Sequence, residues 1–159
     1  MRKLPLLLLA FAAVGCAEAN YAYSFDLLDP GAVNLIKPGQ RDTLEDADVK
    51  SEILVDPTSF QAILLDITNK TDADIQVAWG QISIIGPDGM QTPLRPDSQV
   101  EAVQPGAKVV ARLISFQLPA TGKLAAAYDN TKFELVVPLT VRGAPREMRY
   151  HLIAHANKL

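Results

Sequence analysis

The chain contains one cysteine, one tryptophan and two histidines among its 159 residues. A single cysteine excludes an internal disulfide and the metal sites that use paired cysteines. The 15 Lys and Arg residues do not outnumber the 18 Asp and Glu residues. Nucleic-acid binding needs clustered basic charge, so we expect no nucleic-acid partner. After the first 15 residues, no apolar run approaches the roughly 20 residues of a transmembrane helix.

The N-terminus has the pattern of an export signal. Arg2 and Lys3 supply a cationic start, residues 4–13 are almost entirely apolar, and small residues follow up to Cys16. The apolar run is too short to span a bilayer as a mature helix, which favours a cleaved signal. The alternative is cleavage elsewhere, with Cys16 a spectator. That would leave a lone thiol in an exported chain, with no internal partner.

This segment resembles a bacterial lipoprotein signal, because Gly15 directly precedes the only cysteine. The resemblance implies cleavage between Gly15 and Cys16 and acylation of the Cys16 thiol. Multiple acyl chains, at about 0.8 kcal/mol for each buried CH₂, hold a domain stably on a membrane. Ala13 departs from the commoner leucine of such signals. Ala17 is not the aspartate that retains enterobacterial lipoproteins in the inner membrane, which implies the periplasmic face of the outer membrane.

We therefore divide the chain into a signal peptide (residues 1–15), a lipidated Cys16 with a short tether (16–24), and one β-sandwich domain (25–159). Loss of Arg2 and Lys3 with the signal moves the net charge from −3 to −5. Anionic lipid repels such a domain weakly, so membrane contact should come from the anchor.

Alternating apolar residues predict strands along most of the domain. The runs around residues 63–67 and 75–79 flank turn-forming residues 69–72, which predicts a hairpin with a long loop. Trp79 shares the phase of the second run and is therefore predicted to be core. Trp79 and Ile82 are an odd number of residues apart, which predicts a bulge at Gly80 and Gln81.

Further alternating runs cover residues 109–114, 133–141 and 147–154, and residues 21–27 form an earlier one. Pro138, within the run at residues 133–141, predicts an edge strand or a bulge. Residues 43–46 and 124–128 are predicted to form short helical turns. Six or seven strands separated by turns favour an all-β, immunoglobulin-like sandwich of about seven strands.

Residues 63–119 carry the domain's resemblance: a strand ending at Asn69, a second strand, a Pro87-Asp88-Gly89 turn, a Pro105-Gly106 turn and a final strand. This order resembles the immunoglobulin-like (telokin-like) sandwiches of small bacterial envelope lipoproteins. In outline it is also similar to the sandwich of desiccation-related late-embryogenesis proteins. The resemblance implies a fold and no catalytic residues.

Two groups of residues are candidate metal ligands. His151 and His155 share a face of the last predicted strand, but about 13 Å apart, too far to share one ion. An acidic run could offer oxygen ligands to calcium, although it lacks the glycine and register of the known loop. It comprises Asp42, Glu45, Asp46, Asp48 and Glu52. We expect the two histidines to lie on a solvated edge and the acidic run to lie in a solvated loop. We therefore expect no metal site and no cofactor.

The remaining candidates also have structural explanations. No nucleophile elbow surrounds any serine, so we expect no catalytic residue and no enzyme. Asp72 and Asp74 lie where a turn favours aspartate. Asn69 begins a sequon-like Asn-Lys-Thr triplet, for which a turn role is the better explanation. We assign no residue a role in binding beyond Cys16.

The function predicted from these patterns is a lipid-anchored, non-catalytic binding or structural module that contacts another envelope protein or assembly. Exposed sheet edges suit strand addition to a partner. The loops at residues 95–97 and 130–132 are the first candidates for that contact. The alternative is a small-molecule or metal-binding lipoprotein with a cleft between its sheets, and a weaker third possibility is a protective, stress-related domain.

Overall fold

The structure, a computed structural model, describes residues 21–28, 35–36, 41–55, 62–97, 99–114 and 126–158. That part of the chain contains twelve strands and a single-turn 3₁₀ helix at Trp79–Gln81. The strands are β1 (Tyr21–Leu28), β2 (Leu35–Ile36), β3 (Asp42–Glu45), β4 (Val49–Val55), β5 (Ala62–Asn69), β6 (Ile75–Val77), β7 (Ser83–Ile85), β8 (Gln91–Pro93), β9 (Arg95–Pro96), β10 (Lys108–Ile114), β11 (Thr131–Val141) and β12 (Ala144–Lys158).

The strands form two antiparallel sheets. The larger has seven strands in the order β2-β1-β12-β11-β7-β8, with β6 also paired to β11. The smaller has five, in the order β3-β4-β5-β10-β9. The all-β sandwich predicted from the sequence is thus confirmed. Twelve strands replace the predicted seven or so because several are only two to four residues long, too short to produce an alternating pattern.

The core lies between the two sheets. Alternate residues of each long strand point inward, since side chains in a strand alternate between its two faces. Ile63, Leu65 and Ile67 of the smaller sheet are buried in one cluster with Leu135 and Leu152 of the larger sheet. Burial of such side chains contributes about 1.5–3 kcal/mol each, which is the main stabilisation of the fold.

One polar contact crosses this core. The Tyr150 hydroxyl of β12 donates to Ser51 Oγ of β4 at 2.5 Å, and both residues are fully buried. Burial raises the pKa of Tyr150 well above its usual value, so its hydroxyl keeps the proton that it donates. The contact joins the two sheets at one defined position.

The prediction that β5 and β6 form a hairpin is wrong. β5 pairs with β4 and β10, whereas β6 pairs with β11 in the other sheet. Residues 70–74 therefore form a corner that carries the chain from one sheet to the other. Turn chemistry and alternation are the same for a hairpin and for such a corner, so the sequence pattern does not distinguish them.

Asn69 holds this corner in place. It is fully buried, and its Nδ2 donates to the carbonyl oxygens of Ala73 and Val103, both at 2.7 Å. Its Oδ1 accepts bonds from the amide and the hydroxyl of Thr71, both at 2.8 Å. The sequon-like triplet therefore has a structural role here, because every polar atom of the Asn69 side chain is used within the protein.

The region of Trp79 differs in detail from the expectation. Trp79 is buried, as predicted, and its Nε1 donates to the carbonyl of Val100 at 2.9 Å. The phase change occurs through the 3₁₀ helix Trp79–Gln81 and not through a bulge, and it returns Ile82 to the core. Gly80 has open space where a Cβ would be, so the helix does not require glycine there.

Two predicted helical turns have different outcomes. Residues 43–46 belong to β3 and the β3–β4 turn instead, because Asp46 Oδ1 accepts bonds from the amides of Asp48 and Val49 and closes a tight turn. Ala126 and Ala127 are helical, and residues 124–125 lie outside the described residues.

Asn69→Ala should lower the free energy of unfolding by about 1–3 kcal/mol, because the Thr71 amide would lose its partner and the carbonyls of Ala73 and Val103 would each lose one of two donors. Urea denaturation of the purified protein measures this change. Gln104→Ala, at an exposed turn residue, is the control and should change stability by less than about 0.5 kcal/mol. A loss below 1 kcal/mol for Asn69→Ala would show that the corner does not depend on this amide.

Candidate functional site

An open cleft lies on the outer face of the seven-stranded sheet, where β6 and β7 leave a gap along β11. Pro138 is opposite this gap, between Val136, which pairs with β7, and Leu139, which pairs with β6. Its carbonyl accepts the amide of Ala78 at 3.0 Å. The N and C=O of a strand residue face the same side, so the missing N–H of Pro138 faces the gap and weakens no bond to β12.

The sequence predicted an edge strand or a bulge at Pro138. The structure shows neither. β11 is central, and β12 pairs with it along its full length. The proline is tolerated because the neighbouring chain leaves the sheet plane at the 3₁₀ helix. This combination of a proline and a diverging neighbour creates the cleft.

The cleft has a volume of about 630 Å³. Its lining combines apolar residues, among them Pro138 and Pro145, with the polar and charged Gln81, Arg146, Glu147 and Arg149. Among the described residues that line it, none is a histidine, cysteine or serine.

Arg149 is the best-positioned charged group in this lining. Its guanidinium contacts Glu147 at 2.5 Å and Glu134 at 2.7 Å. The hydrogen bond to Glu147 raises the pKa of Arg149, and the charge of Glu134 adds to the effect. About half of the side chain is exposed, so the guanidinium is held in position and still reachable from solvent.

Three residues of the acidic run, Glu45, Asp46 and Asp48, belong to an ion-pair cluster at one end of the sandwich. Arg146, at the start of β12, contacts Asp46 at 3.0 Å and Asp48 at 2.7 Å, both in the β3–β4 turn. Arg142 contacts Asp48 at 3.7 Å and Asp72 at 3.1 Å. The cluster therefore joins the turns of both sheets, and Glu45, Asp46 and Asp48, three of the five candidate calcium ligands, have basic partners there.

Asp46 is the carboxylate whose charge the turn favours most clearly. Hydrogen bonds from the amides of Val49 and Asp48, together with the charges of Arg146 and Lys70, lower its pKa. Lys70 also contacts Glu45 at 2.9 Å, and this contact lowers the pKa of Glu45. The folded protein thus favours the ionised form of both groups.

The two histidines do not converge. His151 and His155 lie along β12, and His155 Nε2 contacts Asp26 Oδ2 of β1 at 3.0 Å. Within the described ranges, no group of three or more His, Cys, Asp or Glu residues is arranged to hold a metal ion. The Asp26–His155 contact was not predicted, because it depends on the pairing of β1 with β12.

Both predicted contact loops are partly strand. Arg95 and Pro96 form β9, and Asp97 closes that edge by accepting the Arg112 amide at 2.8 Å. Thr131 and Lys132 begin β11, and only Asn130, which has a φ of 55°, is in a turn. Asp72 and Asp74 are exposed at the corner between the sheets, as the turn prediction expected.

Gly15 and Cys16, the predicted cleavage and lipidation residues, lie outside the described residues. In the part of the chain that the structure describes, no helix has the length and apolarity needed to cross a membrane. The sequence matches no protein-family model, no curated protein and no solved structure. The lipoprotein and telokin-like resemblances therefore depend on the residues quoted for them.

Asp46→Asn should reduce the acid sensitivity of the fold. A carboxylate whose folded pKa is lowered stabilises the protein above its unfolded pKa of about 4, and this stabilisation is lost as pH falls through the folded pKa. Asparagine can still accept the turn amides but lacks the charge. We expect a loss of about 0.5 kcal/mol at pH 7 and a smaller drop between pH 5 and pH 3 than in the wild type.

Urea denaturation at pH 7, 5, 4 and 3 measures this effect. Asp74→Asn, at an exposed carboxylate of the neighbouring corner, is a charge-matched control. If the free energy of unfolding depends equally on pH in the wild type and in Asp46→Asn, ionised Asp46 does not stabilise the folded protein as inferred.

Proposed function

We propose that this protein is a lipid-anchored, non-catalytic module of the bacterial envelope, and that it binds a segment of another envelope protein in the cleft at Pro138. Cys16 is the lipidated residue, after cleavage at Gly15. The domain lies at the periplasmic face of the outer membrane. The observation that carries the binding proposal is the position of the cleft, on the outer face of a sheet and open to solvent.

The packing of the core favours this proposal over the alternative, a carrier that binds its ligand between the two sheets. The inner faces of both sheets meet in one cluster of buried apolar side chains. Close packing of that kind leaves little room for a ligand. The cleft at Pro138 is outside this cluster and has a mixed polar and apolar lining, which suits a peptide segment.

The terminal strands of both sheets are short, which favours the cleft over strand addition at those strands. β2 and β9 have two residues each, and β8 has three. Pro93 and Pro96 lie in β8 and β9, where proline cannot donate to an added strand. β3, with four residues, is the longest terminal strand of either sheet in the described part of the chain. These terminal strands therefore offer few backbone bonds to a partner, whereas within the described residues β1 pairs with β2 only at Leu27 and Leu28 and so has a longer unpaired edge.

A small molecule is the second candidate occupant. A volume of about 630 Å³ lies within the range of ligand pockets, roughly 300–1,000 Å³. The same site therefore serves both candidates, and one experiment can separate them.

Cys16→Ser should abolish membrane retention, because the hydroxyl replaces the thiol that accepts the lipid. Fractionation of cells is expected to show at least about a tenfold lower membrane-bound share. Mass spectrometry of the wild-type mature N-terminus should show an acylated Cys16. Retention of Cys16→Ser in the membrane, or an unmodified terminus in the wild type, would contradict the anchor.

A photo-crosslinking residue at Gln81 should capture a discrete protein partner in intact cells. The same residue at Val110, exposed on the opposite sheet, is the control and should not capture it. Arg149→Ala should weaken the Gln81 adduct several-fold, because it removes a guanidinium from the cleft lining.

Identical adducts from Gln81 and Val110, or none from either, would contradict a protein partner at the cleft. A bound small-molecule mass in native mass spectrometry that is lost in Arg149→Ala, without any protein adduct, would instead support the second candidate.

A further inference from the structure

The position of β1 defines which end of the sandwich is nearest to the proposed anchor. β1 begins at Tyr21, which pairs with Lys158 at the far end of β12. Five Cα–Cα steps separate Cys16 from Tyr21, so this stretch reaches at most about 18 Å. Any lipid on Cys16 is therefore close to the start of β1.

Two turns of the described chain lie at that same end of the larger sheet. β11 begins there at Thr131, directly after the turn at Asn130. β7 runs towards the same end, because Ile85 pairs with Glu134 and Ser83 with Val136. The β7–β8 turn that follows Ile85 is therefore also there. We call residues 86–90 and 128–132 the tip.

The tip exposes an apolar side chain. Met90 is 44% exposed, and only one other large hydrophobic side chain, Val110, is exposed among the described residues. Asp88 supports the turn: its Oδ1 accepts the Met90 amide at 3.0 Å and its Oδ2 accepts the Tyr128 hydroxyl at 2.9 Å. Tyr128 in turn packs edge-on against Phe133, with ring centroids 5.4 Å apart.

The ion-pair cluster lies at the other end of the sheet. β11 has eleven residues, and at about 3.3 Å for each step it is about 33 Å long. The far end has five carboxylates and five basic groups: Glu45, Asp46, Asp48, Asp72, Asp74, Lys50, Lys70, Lys108, Arg142 and Arg146. At the tip, Asp88 and Asp129 are balanced by Lys132 and by the neighbouring Lys158. Net charge therefore does not distinguish the two ends for an anionic bilayer.

We propose that the tip faces the bilayer in which the protein's own acyl chains are inserted, with Met90 at the headgroup surface and the ion-pair cluster pointing away from it. This inference rests on the proposed lipidation of Cys16. The short reach of residues 16–21 and the exposed Met90 both favour this orientation. In this orientation the cleft at Pro138 lies on the side of the domain and is open to a partner.

Fluorescence quenching tests the orientation. The full chain, processed in bacteria, has no free thiol once Cys16 is acylated, so Met90→Cys or Gln104→Cys introduces a single labelling site. Gln104 is exposed in the turn that bonds to Asn69, at the ion-pair end. Each labelled protein is reconstituted in vesicles of phosphatidylethanolamine and phosphatidylglycerol (3:1) that carry a headgroup-attached quencher.

We expect quenching at position 90 to exceed that at position 104 by at least threefold. Equal quenching would mean that the domain lies on its side, and stronger quenching at position 104 would mean that it is inverted; either result overturns the orientation. Thermal unfolding of each variant must match the wild type, which both exposed sites should allow.

Failure of the anchor is separable from failure of the orientation. If Cys16 is not acylated, the protein does not copurify with the vesicles and its thiol reacts with the label, which contradicts the proposed function itself. If the protein is vesicle-bound and acylated, the ratio of the two quenching values depends on orientation alone. Met90→Gln, in a protein labelled at Gln104, should leave retention unchanged because the acyl chains supply it.

Discussion

The buried amide of Asn69 is the contact on which the arrangement of the two sheets depends. Between β5 and β6 the chain leaves one sheet and enters the other, and a corner of this kind places backbone groups where no ladder satisfies them. The Asn69 side chain binds the carbonyls of Ala73 and Val103 and the amide of Thr71. A buried group without a partner costs about 1–3 kcal/mol, so an apolar residue at position 69 would destabilise the corner by leaving the Thr71 amide unpaired and by removing one of two donors from each carbonyl.

Other features of the fold are arranged around this corner. The Asn69 backbone also bonds to Ala107 and Gly106 of the turn that precedes β10, so three chain segments meet there. The ion pairs of Arg142 and Arg146 with the β3–β4 turn lie at the same end of the sandwich. Exposed ion pairs of this type stabilise weakly. They add to the buried amide network and depend on the sheet arrangement that it maintains.

The cleft at Pro138 shows how a functional surface can arise from an interrupted sheet. A proline in a central strand would normally remove a ladder bond. Here its missing donor faces a gap, and the 3₁₀ helix at Trp79–Gln81 carries the neighbouring chain away from it. The gap exposes part of the β11 surface that a continuous strand would cover. The proposed binding site thus uses a stretch of β11, Val137 and Pro138, that pairs with neither β6 nor β7.

Local patterns were sufficient to predict much of the fold. Alternation at Ile63, Leu65 and Ile67 and a buried Trp79 agree with the structure, because burial of one strand face is a property of consecutive residues. The phase change between Trp79 and Ile82 was visible, although its form was not. The two-residue and three-residue strands were not predicted, because they are too short for any alternation to appear.

The sequence by itself determined an all-β sandwich, the identity of many core residues and the export-signal pattern that ends at Cys16, since each depends on neighbouring residues. Only the tertiary structure decided that β5 and β6 belong to different sheets, that Asp46 and Asp48 pair with Arg146, and that a cleft opens beside Pro138. These features join residues from about 60 to 100 positions apart in the chain. Strand pairing, which no local pattern encodes, brings them together.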